Sequence, residues 1–376
     1  MAKTTIQELT EFGQSVWLDT ISRSLIDTGR VKELVDLGVS GMTSNPTIFD
    51  KAVSSSSDYD DEIHRLHDLG KSAFEIYDDL TVRDIQDAAD IFKPVYESTN
   101  RVDGYVSLEI DPRLAAKTAE TVQEGRRLHK KVARPNVMFK VPATDQGFGA
   151  IEELLADGIN VNVTLIFSVD QYVKTAKAFL NGMARLADKH ADLSRTHSVA
   201  SVFVSRIDTA VDAMLDERAA AESKESVRAK LSSLRANAAV ANATLIYEKY
   251  AELFSGKAFQ KLKDNDAHVQ RVLWGSTSTK DPAYSDIKYV AELIAKDTVN
   301  TMPEKTLEAF LDHGRVEEAV TADAKKAEQT IDELSRFGVD IDAVCAKLLD
   351  DGVAAFTKSF NSLLNSIREK AGTASP

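Results

Sequence analysis

Between Asn136 and Thr144 the chain reads NVMFKVPAT. The opening residues have the apolar, β-branched character of a buried strand, yet Lys140 sits among them, between Phe139 and Val141. Lysine is among the residues least often fully buried, and an unpaired ammonium in an apolar interior is costly. Pro142 follows two residues later and cannot donate to a sheet ladder. A closed barrel has no edge strand to accommodate it, so a barrel strand must end there. That places Lys140 near the C-terminal end of its strand, where barrels carry functional residues.

Seven further runs of this kind recur: SVWLDT (15–20), GVSGMTSN (38–45), GYVSLEID (104–111), INVNVTLIF (159–167), SVASVFVSRI (198–207), VQRVLWGS (269–276) and TVNTMP (298–303). Helical patterns fill most gaps. The segment 111–132 opens with Asp-Pro, a good helix start. The segment 168–190 has Ser168 as its expected N-cap. The segment 226–254 carries Val227, Leu231, Leu234, Leu245 and Leu253 at near-helical spacing and reads as one helix. Strands alternating with helices predict a parallel sheet with crossovers. Eight such units predict an α/β fold closed as a (β/α)8 TIM barrel. No glycine fingerprint of an open dinucleotide-binding sheet is present, and LGKS (69–72) lacks the upstream glycine of a P-loop. Beyond residue 322 no strand is predicted. There Val344, Leu348, Val353, Phe356, Phe360, Leu364 and Ile367 mark a long amphipathic helix. The expected organisation is one barrel domain over 1–376, with 322–376 as a helical extension packed on it.

Composition narrows the function. The chain has 376 residues, 43% hydrophobic and 28% charged, as soluble globular proteins do. A net charge of −13 argues against nucleic acid or an anionic membrane as partner. An anionic small substrate would then need a locally basic pocket. Cys345 is the only cysteine, which excludes an intrachain disulfide and a cysteine-cluster metal site. The opening residues MAKTTIQELTEFGQ hold no apolar signal core, and no run is long enough to span a membrane. A cytoplasmic location is expected.

Polar residues at strand ends are the candidates for chemistry: Asp19, Thr43, Asn45, Glu109, Lys140, Asn162, Thr164, Ser201 and Arg206. Period-two geometry puts Ser107 with Glu109, Asn162 with Thr164, and Ser201 with Phe203 on shared faces. Each has a bland alternative. Asp19 alone reads as an N-cap, Asn45 before Pro46 as turn chemistry, Asn162 and Thr164 as a satisfied polar pair, and Glu109 as an ion-pair partner of Lys140. Lys140 resists such a reading. Desolvation disfavours its ammonium form, and a neutral amine attacks ketones to form a Schiff base. An iminium is an electron sink, so it permits carbon–carbon cleavage without metal or cofactor. Asp19 and Glu109 are the carboxylates available to move protons.

At these residues the chain resembles the transaldolases, the Schiff-base enzymes of the pentose phosphate pathway. The motifs GMTSNPTIF, VSLEIDPR, VMFKVPAT, GINVNVTLIFS and VFVSRID stand in the family's order, and VNTMPEKTLEAFLDHG is typical of its longer bacterial branch. The resemblance implies transfer of a dihydroxyacetone unit between sugar phosphates, without cofactor or metal, by a monomer or homodimer. It implies that Lys140 forms the Schiff base and that Asp19 handles the proton of the C4 hydroxyl. Glu109 and Thr164 would position a catalytic water. Asn45, Asn162 and Ser201 would hold the hydroxyls of the transferred unit, Arg206 a phosphate, and Phe203 would help separate transfer from aldolase chemistry. One loop departs. Where well-known bacterial members read ASFRN, this chain reads WGSTSTKDPAYSD (274–286). Ser276 fits the serine, Ser278 stands in place of a second phosphate-binding arginine, and Lys280 is the substitute cation. Lysine lacks the planar fork of arginine.

Two rivals are a fructose-6-phosphate aldolase on the same scaffold and a non-catalytic sugar-phosphate-binding barrel. The longer chain and Phe203 argue against the first, and the joint presence of Lys140, Glu109, Asp19 and Thr164 against the second. His64 and His67, three apart beside Asp60 and Asp61, read as exposed helix polarity more readily than as metal ligands. The basic run GRRLHKKVAR (125–134) reads as a solvated helix face.

Overall fold

The computed structural model describes residues 3–372. Among them eight parallel strands close into a barrel in chain order: β1 (Gln14–Leu18), β2 (Gly41–Thr43), β3 (Tyr105–Glu109), β4 (Val137–Pro142), β5 (Val161–Ile166), β6 (Ser198–Phe203), β7 (Arg271–Gly275) and β8 (Thr298–Met302). Pairing of β1 with β8, from Gln14↔Thr298 to Leu18↔Met302, completes the ring. Seven of the eight predicted runs contain their strand whole, β1 begins one residue before its run, and β4 ends at Pro142. Apart from the first residue of β7, every strand position is buried, because helices cover the outside and side chains fill the inside.

Alternation sorts the strand residues between these two environments. Val16, Met42, Val106, Phe139, Val163 and Val202 join the large core shared with the helices. The opposite faces supply a separate cluster of Trp17, Tyr105, Met138, Val199, Leu273 and Val299, joined by Tyr96 from helix Ala73–Ser98. Gly41 makes room for it, since a Cβ there would lie 2.6 Å from the Trp17 indole. Two residues further along the same faces the chemistry changes to Asp19, Thr43, Ser107, Lys140, Ser201 and Thr301. The barrel is therefore apolar at depth and polar towards the C-terminal ends of its strands. Between Val163↔Ala200 and Ile166↔Val202, β5 holds one residue more than β6, with Leu165 at φ 58°. Such a bulge at a barrel rim re-aims neighbouring side chains.

Ser168 caps helix Val169–Asp188, as expected. The segment 226–254 is not one helix but two, Glu225–Leu234 and Ala238–Ser255, separated by Ala236 at φ 60°. Acceptors from the preceding helix, Ser205–Ala221, hold the break: Asp212 takes the Ala236 N–H at 3.0 Å and Asp208 the Ala239 N–H at 2.8 Å. The buried face of the second helix is Ile246, Tyr250 and Phe254, so Leu245 and Leu253 lie one position off it. After residue 322 come helices Lys325–Arg336 and Ile341–Gly372. The second crosses the C-terminal end of the barrel. Cys345 donates to Phe167 O at 3.4 Å, a Cβ on Gly352 would lie 3.0 Å from Leu165 and 3.7 Å from Arg206, and the Phe360 ring meets Tyr77 at 4.9 Å.

Candidate active site

Lys140, 4% exposed, lies on β4 opposite Glu109 of β3 and Asn162 of β5. Its Nζ donates to Ser44 O at 2.9 Å and stands 3.2 Å from Glu109 Oε2. Ser44 is fixed in turn by its hydroxyl, which donates to Ser107 O at 2.6 Å. Glu109 is ion-paired but poorly hydrogen-bonded: neither carboxyl oxygen has a well-directed partner, and Thr164 Oγ1 is likewise buried without one. Burial pushes the Glu109 pKa up against the pull of the Lys140 charge. A buried carboxylate with unused lone pairs beside an amine is placed to accept a proton from it. Thr164 faces Pro142 on the far side of β4, so the two orphaned groups flank the lysine strand.

Asn162 links three strands. Its Nδ2 donates to Ser107 Oγ at 3.0 Å, and its Oδ1 accepts from Ser201 Oγ at 2.6 Å. This part of the polar-pair expectation holds for Asn162, while Thr164 is unsatisfied. Asp19 does not cap the helix after it; Ser22 caps Arg23–Asp27 instead. The Asp19 carboxylate accepts from Thr43 Oγ1 at 2.7 Å, and Thr43 reaches Thr301 Oγ1 at 2.7 Å. Burial raises the Asp19 pKa, opposed by the Thr43 hydrogen bond and by the charges of Lys140, Lys280 and Arg206. Three cations thus converge on one carboxylate in a chain of net charge −13, the locally basic pocket an anionic substrate needs. Asn45 does cap a helix: its Oδ1 accepts from Ile48 N at 3.0 Å at the start of Pro46–Ser54, which leaves its amide nitrogen for a ligand.

Arg206 sits in the first turn of helix Ser205–Ala221, which has no side-chain cap. Its guanidinium stacks 5.1 Å from the Phe203 ring and makes no hydrogen bond or ion pair among the described residues. Phe203 is buried and packs edge-on against Phe167 at 5.6 Å. Ser276, at φ 55°, accepts the Ser205 N–H through its carbonyl at 3.1 Å and lies 3.0 Å from Ser205 Oγ through its hydroxyl. Ser276 thereby joins the Arg206 side of the mouth. Ser278 and Lys280 stand elsewhere, with Asp19 in a cleft of about 970 Å³ between the loops after β1, β2, β7 and β8. Lys280 Nζ donates to Ser278 Oγ at 2.7 Å.

The sequence profile of the family described as Transaldolase/Fructose-6-phosphate aldolase matches residues 16–367. The chain belongs to this family. Among its relatives, a protein named Transaldolase from Saccharopolyspora erythraea is 47% identical over 367 residues, 97% of each chain. Transaldolase from Trichodesmium erythraeum is 41% identical over 372 residues, 98% of each chain. Transaldolase 2 from a Nostoc species is 42% identical over 380 residues, the whole of both. Against this transaldolase-family background, residues that the strand-end reasoning missed stand out. Ser44 acts through its backbone carbonyl, which no side-chain signal announces. Thr277 is buried and ties the β7 loop to β8, donating to Asn300 Oδ1 at 3.0 Å or Thr301 O at 3.1 Å. Phe356, read as a helix packing residue, lies with its ring centroid 5.8 Å from Lys140 Nζ. Its heptad-like spacing with Phe360 marks a buried face but not what that face covers.

The weaker signals resolve differently. Among the described residues no group of three or more His, Cys, Asp or Glu is arranged to hold a metal, His64 and His67 included. No helix among them is long and apolar enough to cross a membrane. The basic run is more than a solvated face: Arg127 and Lys131 pair with Asp78 at 2.7 and 2.6 Å, and Arg134 with Asp90 at 2.6 Å, so it bridges two helices.

Proposed function

We propose that the chain is a transaldolase, transferring a dihydroxyacetone unit from sedoheptulose 7-phosphate to glyceraldehyde 3-phosphate to give erythrose 4-phosphate and fructose 6-phosphate. The observation that carries this reading is Lys140, buried at the barrel mouth 3.2 Å from a Glu109 whose own oxygens are otherwise unsatisfied. Lys140 passes a proton to Glu109 and its free amine attacks the C2 ketone. Glu109 and Thr164 hold the water that relays protons as the carbinolamine forms and loses water to the iminium. Asp19, whose pKa burial raises, takes the C4 hydroxyl proton as the C3–C4 bond breaks. The electron pair of that bond flows into the iminium, leaving an enamine on Lys140 and releasing an aldose phosphate. The acceptor aldehyde then enters, the enamine attacks it, and hydrolysis frees the lysine. Such a sequence is ping-pong.

Asn162, Ser201 and the free amide nitrogen of Asn45 hold the hydroxyls of the transferred unit. Arg206 and Ser276 hold phosphate on one side of the mouth, and Ser278 with Lys280 supplies positive charge from the cleft beside Asp19. Phe203, buried against Phe167, limits proton delivery to the enamine carbon and so favours transfer over release of dihydroxyacetone. The protein works in the cytoplasm as a monomer or homodimer, without cofactor.

Borohydride added during turnover of fructose 6-phosphate tests the central step. A reduced three-carbon adduct on the peptide containing Lys140, detected by mass spectrometry, is the expected result. No adduct, or one on another lysine, overturns the assignment.

A further inference from the structure

Lys140 has three kinds of neighbour: the Glu109 carboxylate, the Ser44 carbonyl and the Phe356 ring. Two belong to barrel loops and strands. The third arrives from the helix that crosses the mouth. Phe356 is 2% exposed and stands one helical turn from Gly352, whose lack of a side chain lets the helix approach Leu165 and Arg206. On its other side Phe360 is clamped between Tyr77 at 4.9 Å and the Arg113 guanidinium at 4.7 Å. The ring is thus held over the amine from both directions along the helix.

We infer that Phe356 is a positioning residue for the Schiff-base step, holding positive charge on Lys140 Nζ after the amine has lost two of its three hydrogen-bond donors. This rests on the function proposed above. The physical reason lies in the donor count. An ammonium has three N–H groups and serves Glu109 and Ser44 together. The iminium keeps the charge but only one N–H, so it cannot satisfy both. The face of an aromatic ring attracts a cation through its quadrupole and needs no N–H. Phe356 therefore favours the charged iminium over the neutral amine and carbinolamine that precede it, while its bulk keeps water from that side of the carbon–nitrogen double bond.

The test is Phe356→Leu, which keeps an apolar side chain and removes the ring face. Borohydride trapping with fructose 6-phosphate is followed across pH 6 to 9, with the thermal midpoint and the KM for the acceptor measured in parallel. Trapping and kcat are expected to fall about tenfold, with the acceptor KM and the fold retained. If Leu fails to hold the helix, Phe356→Met, whose flexible thioether fills irregular space, takes its place. Trapping at the wild-type rate and pH profile in a folded variant overturns the inference, as does a loss matched wholly by unfolding. Failure of the wild-type protein to form any Lys140 adduct instead overturns the proposed function, so the two failures are distinct.

Discussion

Among the described residues two ion pairs sit inside the barrel, a partly buried one at the N-terminal end and a fully buried one at the C-terminal end, and they are built to opposite rules. At the N-terminal end Arg271 meets Asp103 at 3.0 Å. Asp103 also accepts from Ser15 Oγ at 2.6 Å and Trp17 Nε1 at 2.9 Å, and Arg271 donates further to Ser15 Oγ and Val102 O, both at 2.7 Å. At the C-terminal end Lys140 meets Glu109 at 3.2 Å, and the carboxylate has nothing else. A buried pair with its lone pairs filled is a structural joint. A buried pair left short of partners keeps its protons mobile and its oxygens open to a ligand or water. On the function proposed above, the difference separates a stability device from a chemical one within a single barrel.

Lys140→Ala tests the contrast most severely. Transfer is expected to fall on the order of 10³-fold or more, while the thermal midpoint stays close to wild type because Glu109 can take up a proton once its partner is gone. Collapse of the fold would place this pair with the structural one. Arg271→Met should do the reverse. Removing one partner of a fully buried pair costs about 3–5 kcal/mol, and because Arg271 is only partly buried the loss should fall below that range, readable as a lower urea midpoint, with kcat per folded molecule unchanged within about twofold. A large loss of kcat in the folded fraction would erase the distinction. The smallest expected effect concerns pH. The Glu109 carboxyl titrates above its usual value near 4.5, so the folded state binds this proton more tightly than the unfolded chain. Its contribution therefore lowers stability as pH rises from the usual carboxylate range through the raised folded value. Glu109→Gln removes that slope. The variant should therefore show a flatter dependence of stability on pH than wild type across this interval, even as activity falls. Parallel stability curves would show that the carboxylate is no burden to the fold.

The eight strands were legible because each is a short apolar run, and a parallel sheet covered on both faces requires such runs. Lys140 was legible for the converse reason: it violates the pattern at a place where Pro142 fixes the strand end. What depends on partners far away in the chain was not. The helix break at Ala236 is held by Asp208 and Asp212, and nothing local in SSLRANAAV forecasts acceptors from another helix. Asp19 looked like a cap because caps are set locally, whereas its partner Thr43 belongs to the next strand. Asp103 and Arg271 drew no notice, since their network is assembled from β1, β3 and β7 at once. Phe356 fits a helical stripe whether that stripe faces a neighbouring helix or an amine.

The helix bearing Phe356 follows all eight strands in the chain, and a ribosome delivers a chain from its N-terminus onward. The walls around Lys140 are therefore synthesised before their roof. Strand and roof are thus far apart in the chain and adjacent in space, and the Phe356 ring meets the amine only where the last helix has docked across the mouth. Enclosure of Lys140 is in this sense a long-range contact, closed by the segment that is synthesised last.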